Sequence, residues 1–429
     1  MYTLKELDNG IKLIMHKIKY LNSSTLGFIV KSGSYYENET NNGISHFIEH
    51  MLFKGTKSLN TRQLAEAIDD VGGQINAFTS KEHTCFYTKV ISEHLPVAIN
   101  ILGDMLNNSK FDENDIEKEK SVIIEEIKMY EDFPEDLLYE LVDKMIYDKI
   151  PLAYPILGTV ESVSRLDKKK ITDYFYEKYT PDNIIISLTG NFDEVQSYDL
   201  LNKAFGNFNI NSKSIQDNNV YVFEMKNNIR VINKDIEQFN MCIAFPGPSE
   251  YSNDIFPVML VNNILGGTIS SRLFQRIREE AGLSYNIESS ISSFNDSGFI
   301  SIYAGLNEGQ VLNVSKLIKN EIDRLKKYYI TEKELGKAKE QLKGSYILSL
   351  ESSFNKMYEI GKNALHKKEI ETPESVIKQI NSVLLSDIIV VIDKYFDYNK
   401  INIACVGKIN NENKLIKDLT KVFELGGDF

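Results

Sequence analysis

The strongest constraint on how this chain folds is an internal echo. Asn183-Ile184-Ile185-Ile186-Ser187-Leu188-Thr189-Gly190 returns as Lys400-Ile401-Asn402-Ile403-Ala404-Cys405-Val406-Gly407, with the two glycines 217 positions apart. Each copy is a short, nearly unbroken aliphatic run stopped by glycine, the pattern of a strand buried on both faces. The elements ahead of each copy also recur in order. In the first half, strands are expected at residues 4–7, 11–15, 24–31, 74–79 and 84–91, with a turn at Asp8-Asn9-Gly10 between the first two. In the second half, strands are expected at 220–223, 229–232 and 241–245, followed again by helices and strands. The pattern predicts an α+β fold of two homologous domains, 1–210 and 218–429, each a mostly antiparallel sheet flanked by helices. The polar stretch from Asn207 to Ser214 is the expected linker.

Chemistry concentrates in the first copy. His46-Phe47-Ile48-Glu49-His50 uses two of only six histidines. Gly43 to Ser45 can open a helix and Gly55 can close it. Four residues apart, His46 and His50 stand on one helix face, where two imidazoles can share a cation, and Glu49 lies beside them. The order H-x-x-E-H is the inverse of the H-E-x-x-H zinc motif. The plainer alternative is a surface helix with an incidental histidine pair, and a third ligand separates the two. An acidic helix expected at 112–132 offers candidates. There Glu119, Val122, Ile123, Glu126 and Met129 recur at spacings of three and four, and carboxylates buried among aliphatic neighbours need a counter-charge such as a metal. The helical wheel leaves Glu119, Glu125 and Glu126 open. Sliding the sequence by the repeat length drops His46, Glu49 and His50 onto Asn263, Gly266 and Gly267. A slip of one gives Asn262, Leu265 and Gly266, so the second copy has no ligands.

Other helices are expected from Thr61, taken as an N-cap, to the Gly72-Gly73 stop, from Ser92 through Leu106, at 134–147 and at 167–178. A net charge of −12 argues against nucleic acid as a partner and allows a basic ligand. Cys85, Cys242 and Cys405 sit in apolar strand-like runs and read as buried free thiols. With no leader-like start and no run of membrane-spanning length, the expectation is a cytoplasmic protein with no membrane partner.

Several stretches, in order along the whole chain, resemble the pitrilysin-type zinc peptidases, in particular the half-size branch with the mitochondrial processing peptidase β subunit and bacterial processing-protease-like proteins. They are Leu7-Asp8-Asn9-Gly10, His46 through Thr56, Gly73-Gln74-Ile75-Asn76-Ala77-Phe78-Thr79, Glu119 through Glu126, Leu157-Gly158-Thr159 and Ser270-Ser271-Arg272-Leu273-Phe274. The resemblance implies one zinc per chain, held by His46, His50 and Glu126, with Glu49 as general base and Glu119 supporting the site. It implies that Arg278 and Tyr285 bind the peptide, against the plainer reading of a surface helix arginine and a core strand tyrosine. Strand 74–79 would carry an extended peptide on its edge, with Asn76 and Ala77 as contacts.

The function implied is a zinc-dependent endopeptidase acting on peptides or unfolded segments enclosed in a chamber. One chain supplies half of the family's clamshell, so a homodimer is expected, with Arg278 and Tyr285 of one subunit reaching the zinc site of the other. The alternative is a non-catalytic peptide-binding or assembly subunit of the same fold. A carboxylate-rich iron site would call for more carboxylates than this motif offers.

Overall fold

The computed structural model describes residues 2–209, 221, 224–366 and 371–426. Two sheets organise it. The first contains β1 (Thr3–Glu6), β2 (Lys12–Lys17), β3 (Ser23–Val30), β4 (Gln74–Thr79), β5 (Thr84–Ile91) and β6 (Ile184–Gly190), in the order β1-β2-β6-β3-β5-β4. The second contains β7 (Asn228–Asn233), β8 (Phe239–Pro246), β9 (Ser284–Ser293), β10 (Gly298–Leu306) and β11 (Asn402–Gly407), in the order β7-β11-β8-β10-β9. The echo is thus structural: β6 and β11 are the two copies, each with a parallel neighbour on one side and an antiparallel one on the other. Among the described residues β1 has no counterpart. The strand expected at 220–223 falls outside them except for Tyr221, as does the linker beyond Asn209.

Five helices of the first half carry the H-x-x-E-H motif, the acidic run or part of the sheet cover: α1 (Ile44–Leu52), α2 (Thr61–Asp69), α3 (Leu95–Asn108), α4 (Glu113–Asp132) and α5 (Pro134–Tyr147). Two starts differ from expectation. The N-cap of α2 is Asn60, not Thr61: its side chain accepts from the Gln63 amide at 3.0 Å while the Gln63 side chain accepts from Asn60 N, a reciprocal pair that Thr61 is one residue too late to make. Ser92 opens a short 3-10 turn, Ser92–His94, and α3 begins at Leu95, where Pro96 in the first turn loses no helical hydrogen bond. The three cysteines are free and buried.

Chain contacts divide the protein into two compact units. The first comprises Met1–Lys128, Tyr154–Asn219 and Leu348–Glu371, and the second Met129–Ala153, Val220–Ile347 and Thr372–Phe429. Each unit thus takes one helix from the other half of the sequence. Every residue of β6 is buried, so its sheet needs cover on both faces. One face packs on a core that includes Phe28, Phe47, Phe86 and Phe205, with the Phe28 and Phe86 rings stacked at 4.7 Å. The other is covered by the helix Ser353–His366, whose Met357, Ile360 and Ala364 pack on Ile14, Ile29, Cys85 and Ile185. Burying Met357 or Ile360 is worth roughly 1.5–3 kcal/mol each. The approach is close: a Cβ on Gly27 would lie 2.8 Å from Met357 Sδ, and Ser187 Oγ donates to the Met357 carbonyl at 2.7 Å. In the second unit α5 does the equivalent, with Ser297 Oγ donating to Tyr147 Oη at 3.3 Å. Among the described residues no single helix is long and apolar enough to cross a membrane.

Candidate metal centre

Two helices of the first unit build the centre. On α1, Phe47, Ile48, Met51 and Leu52 are buried in the core, which fixes where the remaining face points. The helix start is held equally firmly. Its N-cap Gly43 has φ 91, and a Cβ there would fall 2.5 Å from the Leu157 carbonyl, so only glycine fits. Glu37, buried, turns its carboxylate onto this start, accepting from Gly43 N at 2.7 Å, Ser45 N at 2.8 Å and Asn42 Nδ2 at 2.9 Å. A negative charge at a helix N-terminus is itself favourable.

On α4 the buried stripe is Ile116, Glu119, Ile123 and Ile127, with Glu126 half-buried beside it. Val122 and Met129, expected on the same face, are exposed, because their rotation about the helix axis carries them off the Glu119–Glu126 line. Glu125 faces solvent and pairs with Lys128 at 2.6 Å. The three-way choice left by the sequence therefore narrows to Glu126 at the imidazoles and Glu119 behind them. Glu126 Oε2 lies 3.9 Å from His46 Nε2 and 3.7 Å from His50 Nε2, and one ligand atom from each of the three residues lies within 4.8 Å of the others. The edge of a tetrahedron with bonds near 2.1 Å is about 3.4 Å, so both imidazole–carboxylate spacings are within about 0.5 Å of it. Two imidazoles and one carboxylate, leaving one corner open, is a donor set that suits zinc.

Behind His50, Glu119 completes the arrangement. Its Oε1 lies 2.7 Å from His50 Nδ1 and its Oε2 lies 2.5 Å from Lys54 Nζ. With Nδ1–H donated to the carboxylate, the lone pair of His50 is on Nε2, the nitrogen facing Glu126. Electrostatics follow this wiring. Burial lowers the pKa of His46 to about 3, helped by the charge of His50, so His46 is neutral and able to ligate. Burial also lowers His50, but the hydrogen bond and charge of Glu119, with Glu126 and Glu49, outweigh it and the net shift is upward. Burial would raise Glu119, yet His50 and Lys54 hold it below the usual carboxylate range. Glu126 and Glu49 are pushed up, in both cases chiefly by burial. For Glu49 a hydrogen bond from Thr79 Oγ1 to Oε2, at 2.5 Å, opposes the rise.

Glu37, Lys54 and Thr79 are parts of this centre that the sequence reading passes over. Lys54 left one signal, its position four residues after His50; Thr79 and Glu37 left none, since their contacts cross between elements. Of the other expected residues, Asn76 and Ala77 lie on β4, which among the described residues pairs only with β5 and is the edge of its sheet, next to α1. Asn76 is exposed, and its Oδ1 accepts from the Ala77 amide at 2.8 Å. Arg278 lies in the helical segment Phe274–Glu280, exposed, with its guanidinium 4.7 Å from the Phe274 ring centre. Tyr285, in β9, is 82% exposed, which overturns the plainer reading of a core tyrosine. Both belong to the second unit, whereas every residue of the metal centre lies in the first.

The family model described as insulinase (peptidase family M16) matches residues 12–160, and that of the peptidase M16 inactive domain matches residues 165–342. A Bacillus subtilis protein named as an uncharacterized zinc protease, YmxG, is 41% identical over 378 residues, spanning 88% of this chain and 91% of its own. The chain belongs to peptidase family M16. An uncharacterized zinc protease of Rickettsia felis is 35% identical over 92% of this M16 chain and 95% of its own. The fold is shared with a solved protease from Helicobacter pylori, at a TM-score of 0.87 and 21% identity, over 95% of this chain and 99% of that one. The inactive-domain match begins after the last of these ligands in the sequence and runs from the first half into the second, and among the described residues His46, His50 and Glu126 are the one group able to hold a metal ion.

Proposed function

We propose that this M16 chain is a zinc-dependent endopeptidase acting on peptides or unfolded segments, with one zinc per chain held by His46, His50 and Glu126. The observation that carries the reading is the convergence of two imidazoles and a carboxylate beside a half-buried Glu49. Zinc, when bound there, supplies an acidified water and a Lewis acid for the scissile carbonyl. Glu49, its proton affinity raised by burial, takes the proton released in the attack and gives it to the leaving amine. Glu119 keeps the His50 tautomer, and Lys54 keeps Glu119 in place. An extended peptide adds to the free edge of β4, alongside Asn76 and Ala77, through backbone hydrogen bonds that read little sequence. In this reading the working form is a cytoplasmic homodimer, in which Arg278 and Tyr285 of the partner subunit complete the chamber. Three buried free thiols accord with a reducing compartment, and the exposure of Arg278 and Tyr285 accords with substrate contact.

The test is zinc content together with cleavage of a quenched peptide library, with and without chelator. Glu49→Gln should retain zinc and lose at least about 100-fold in kcat, whereas Glu126→Ala should lose both metal and cleavage. Wild-type cleavage rates in Glu49→Gln would sink the mechanism. A zinc-loaded chain that binds peptides without cutting them would be a peptide-binding subunit instead. Light scattering that finds only monomers in a fully active preparation would remove the dimeric chamber.

A further inference from the structure

Thr79, the last residue of β4, makes a contact that the proposed reaction leaves without a role. Its Oγ1 lies 2.5 Å from Glu49 Oε2 and 3.4 Å from Oγ1 of Thr84, its cross-strand partner. Counting hydroxyl protons sets the direction. Thr84 gives its single proton to the Ser32 carbonyl at 2.8 Å and needs none from Thr79, so the Thr79 hydroxyl is free to donate its only proton to Glu49 Oε2. The bond is short, charge-assisted and withdrawn from bulk water, which places it among the stronger hydrogen bonds a protein makes.

The location matters as much as the strength. A glutamate side chain swings about three bonds, and α1 fixes only its root. Thr79 pins the far end by one oxygen, so the second oxygen has a defined direction. Thr79 also belongs to the edge strand beside α1, three residues along the backbone from the exposed Asn76. A peptide paired to that edge would lie along the same strand as the residue that holds the base.

We propose that Thr79 is a positioning residue for the general base, holding Oε2 of Glu49 so that Oε1 is presented to the reacting water, and coupling the base to the strand that carries the peptide. The proposal rests on the endopeptidase reading.

The experiment uses the zinc-loaded full chain, a quenched peptide, and the variants Thr79→Val, Thr79→Ser, Glu49→Gln and the Thr79→Val/Glu49→Gln double. Valine keeps the shape and removes the hydroxyl. Thr79→Val should lower kcat by roughly 10- to 100-fold while KM stays within about twofold, the signature of a contact needed in the transition state. Zinc affinity, measured by chelator competition, should be unchanged, Thr79→Ser should recover most of the rate, and the double variant should be no slower than Glu49→Gln alone. A Thr79→Val enzyme at wild-type kcat, a Thr79→Ser enzyme as slow as Thr79→Val, or zinc affinity falling in step with kcat would each overturn the proposal. Should the wild-type chain cleave nothing, the endopeptidase reading fails separately. A crystal structure of Thr79→Val then decides the positional claim: an unmoved Glu49 carboxylate refutes it and a displaced one supports it.

Discussion

Glu119→Gln is the substitution whose outcome depends most directly on the wiring of the centre. The side chain of Glu119 is 4% exposed and serves two donors, His50 Nδ1 at 2.7 Å and Lys54 Nζ at 2.5 Å. An amide of the same shape has one acceptor oxygen for those two partners. The ammonium, being charged, takes the oxygen, and the amide NH2 is turned toward Nδ1. His50 must then accept at Nδ1 and carry its proton on Nε2, the atom the metal needs. Losing the partner that orients a metal-binding histidine costs about 10–100-fold in metal affinity, or roughly 1.4–2.7 kcal/mol. Stability falls as well, because the Lys54–Glu119 ion pair is lost. Breaking a fully buried pair costs about 3–5 kcal/mol, and Lys54, 31% exposed, recovers part of its hydration, so about 1–3 kcal/mol is expected here. Competition with a chromophoric chelator reads the first quantity and urea unfolding of the metal-free protein the second. Zinc affinity within about twofold of wild type would refute the tautomer argument, and would mean that the amide oxygen serves Nδ1 instead of Lys54.

Two further outcomes derive from the same geometry. Gly43→Ala forces a Cβ to within 2.5 Å of the Leu157 carbonyl at a positive φ, and should cost about 2–4 kcal/mol by urea unfolding and weaken zinc by shifting the helix start; an unchanged midpoint would show that the loop yields freely. Zinc binding should also weaken with acid. His50 has a pKa above the usual imidazole value, and ligation needs Nε2 unprotonated, so affinity should be level above that pKa and fall by about tenfold per pH unit below it. Affinity independent of pH between about 5 and 8 would contradict the shift.

The sequence by itself determined the repeat, most strand positions, the helix that carries the H-x-x-E-H motif and the lack of that motif in the second copy. Each of these is a local pattern: an aliphatic run stopped by glycine, alternation along a strand, histidines at helical spacing. β4 and β5 fall where alternation and flanking turn residues put them. The helix carrying Glu119 and Glu126 was equally legible, because a period of seven keeps both on one face. The choice among its carboxylates was not, since nothing local distinguishes Glu125, which meets solvent and Lys128, from Glu126, which meets two imidazoles. The resemblance to known peptidases supplied that choice, and packing gives its reason.

Only the tertiary structure decided what covers the sheets and what surrounds the motif. That β6 needs burial on both faces is readable from its composition; that the cover is a helix from beyond residue 350, and that α5 joins the other unit, is not, because amphipathicity names a face without naming its partner. Glu37, Lys54 and Thr79 belong to the same class. Each acts through a hydrogen bond to a residue on another turn, strand or helix, and such a bond leaves no period in the sequence. The motif His46-Phe47-Ile48-Glu49-His50 put the candidate ligands and base on one helix, while long-range packing set their hydrogen-bond partners and their burial.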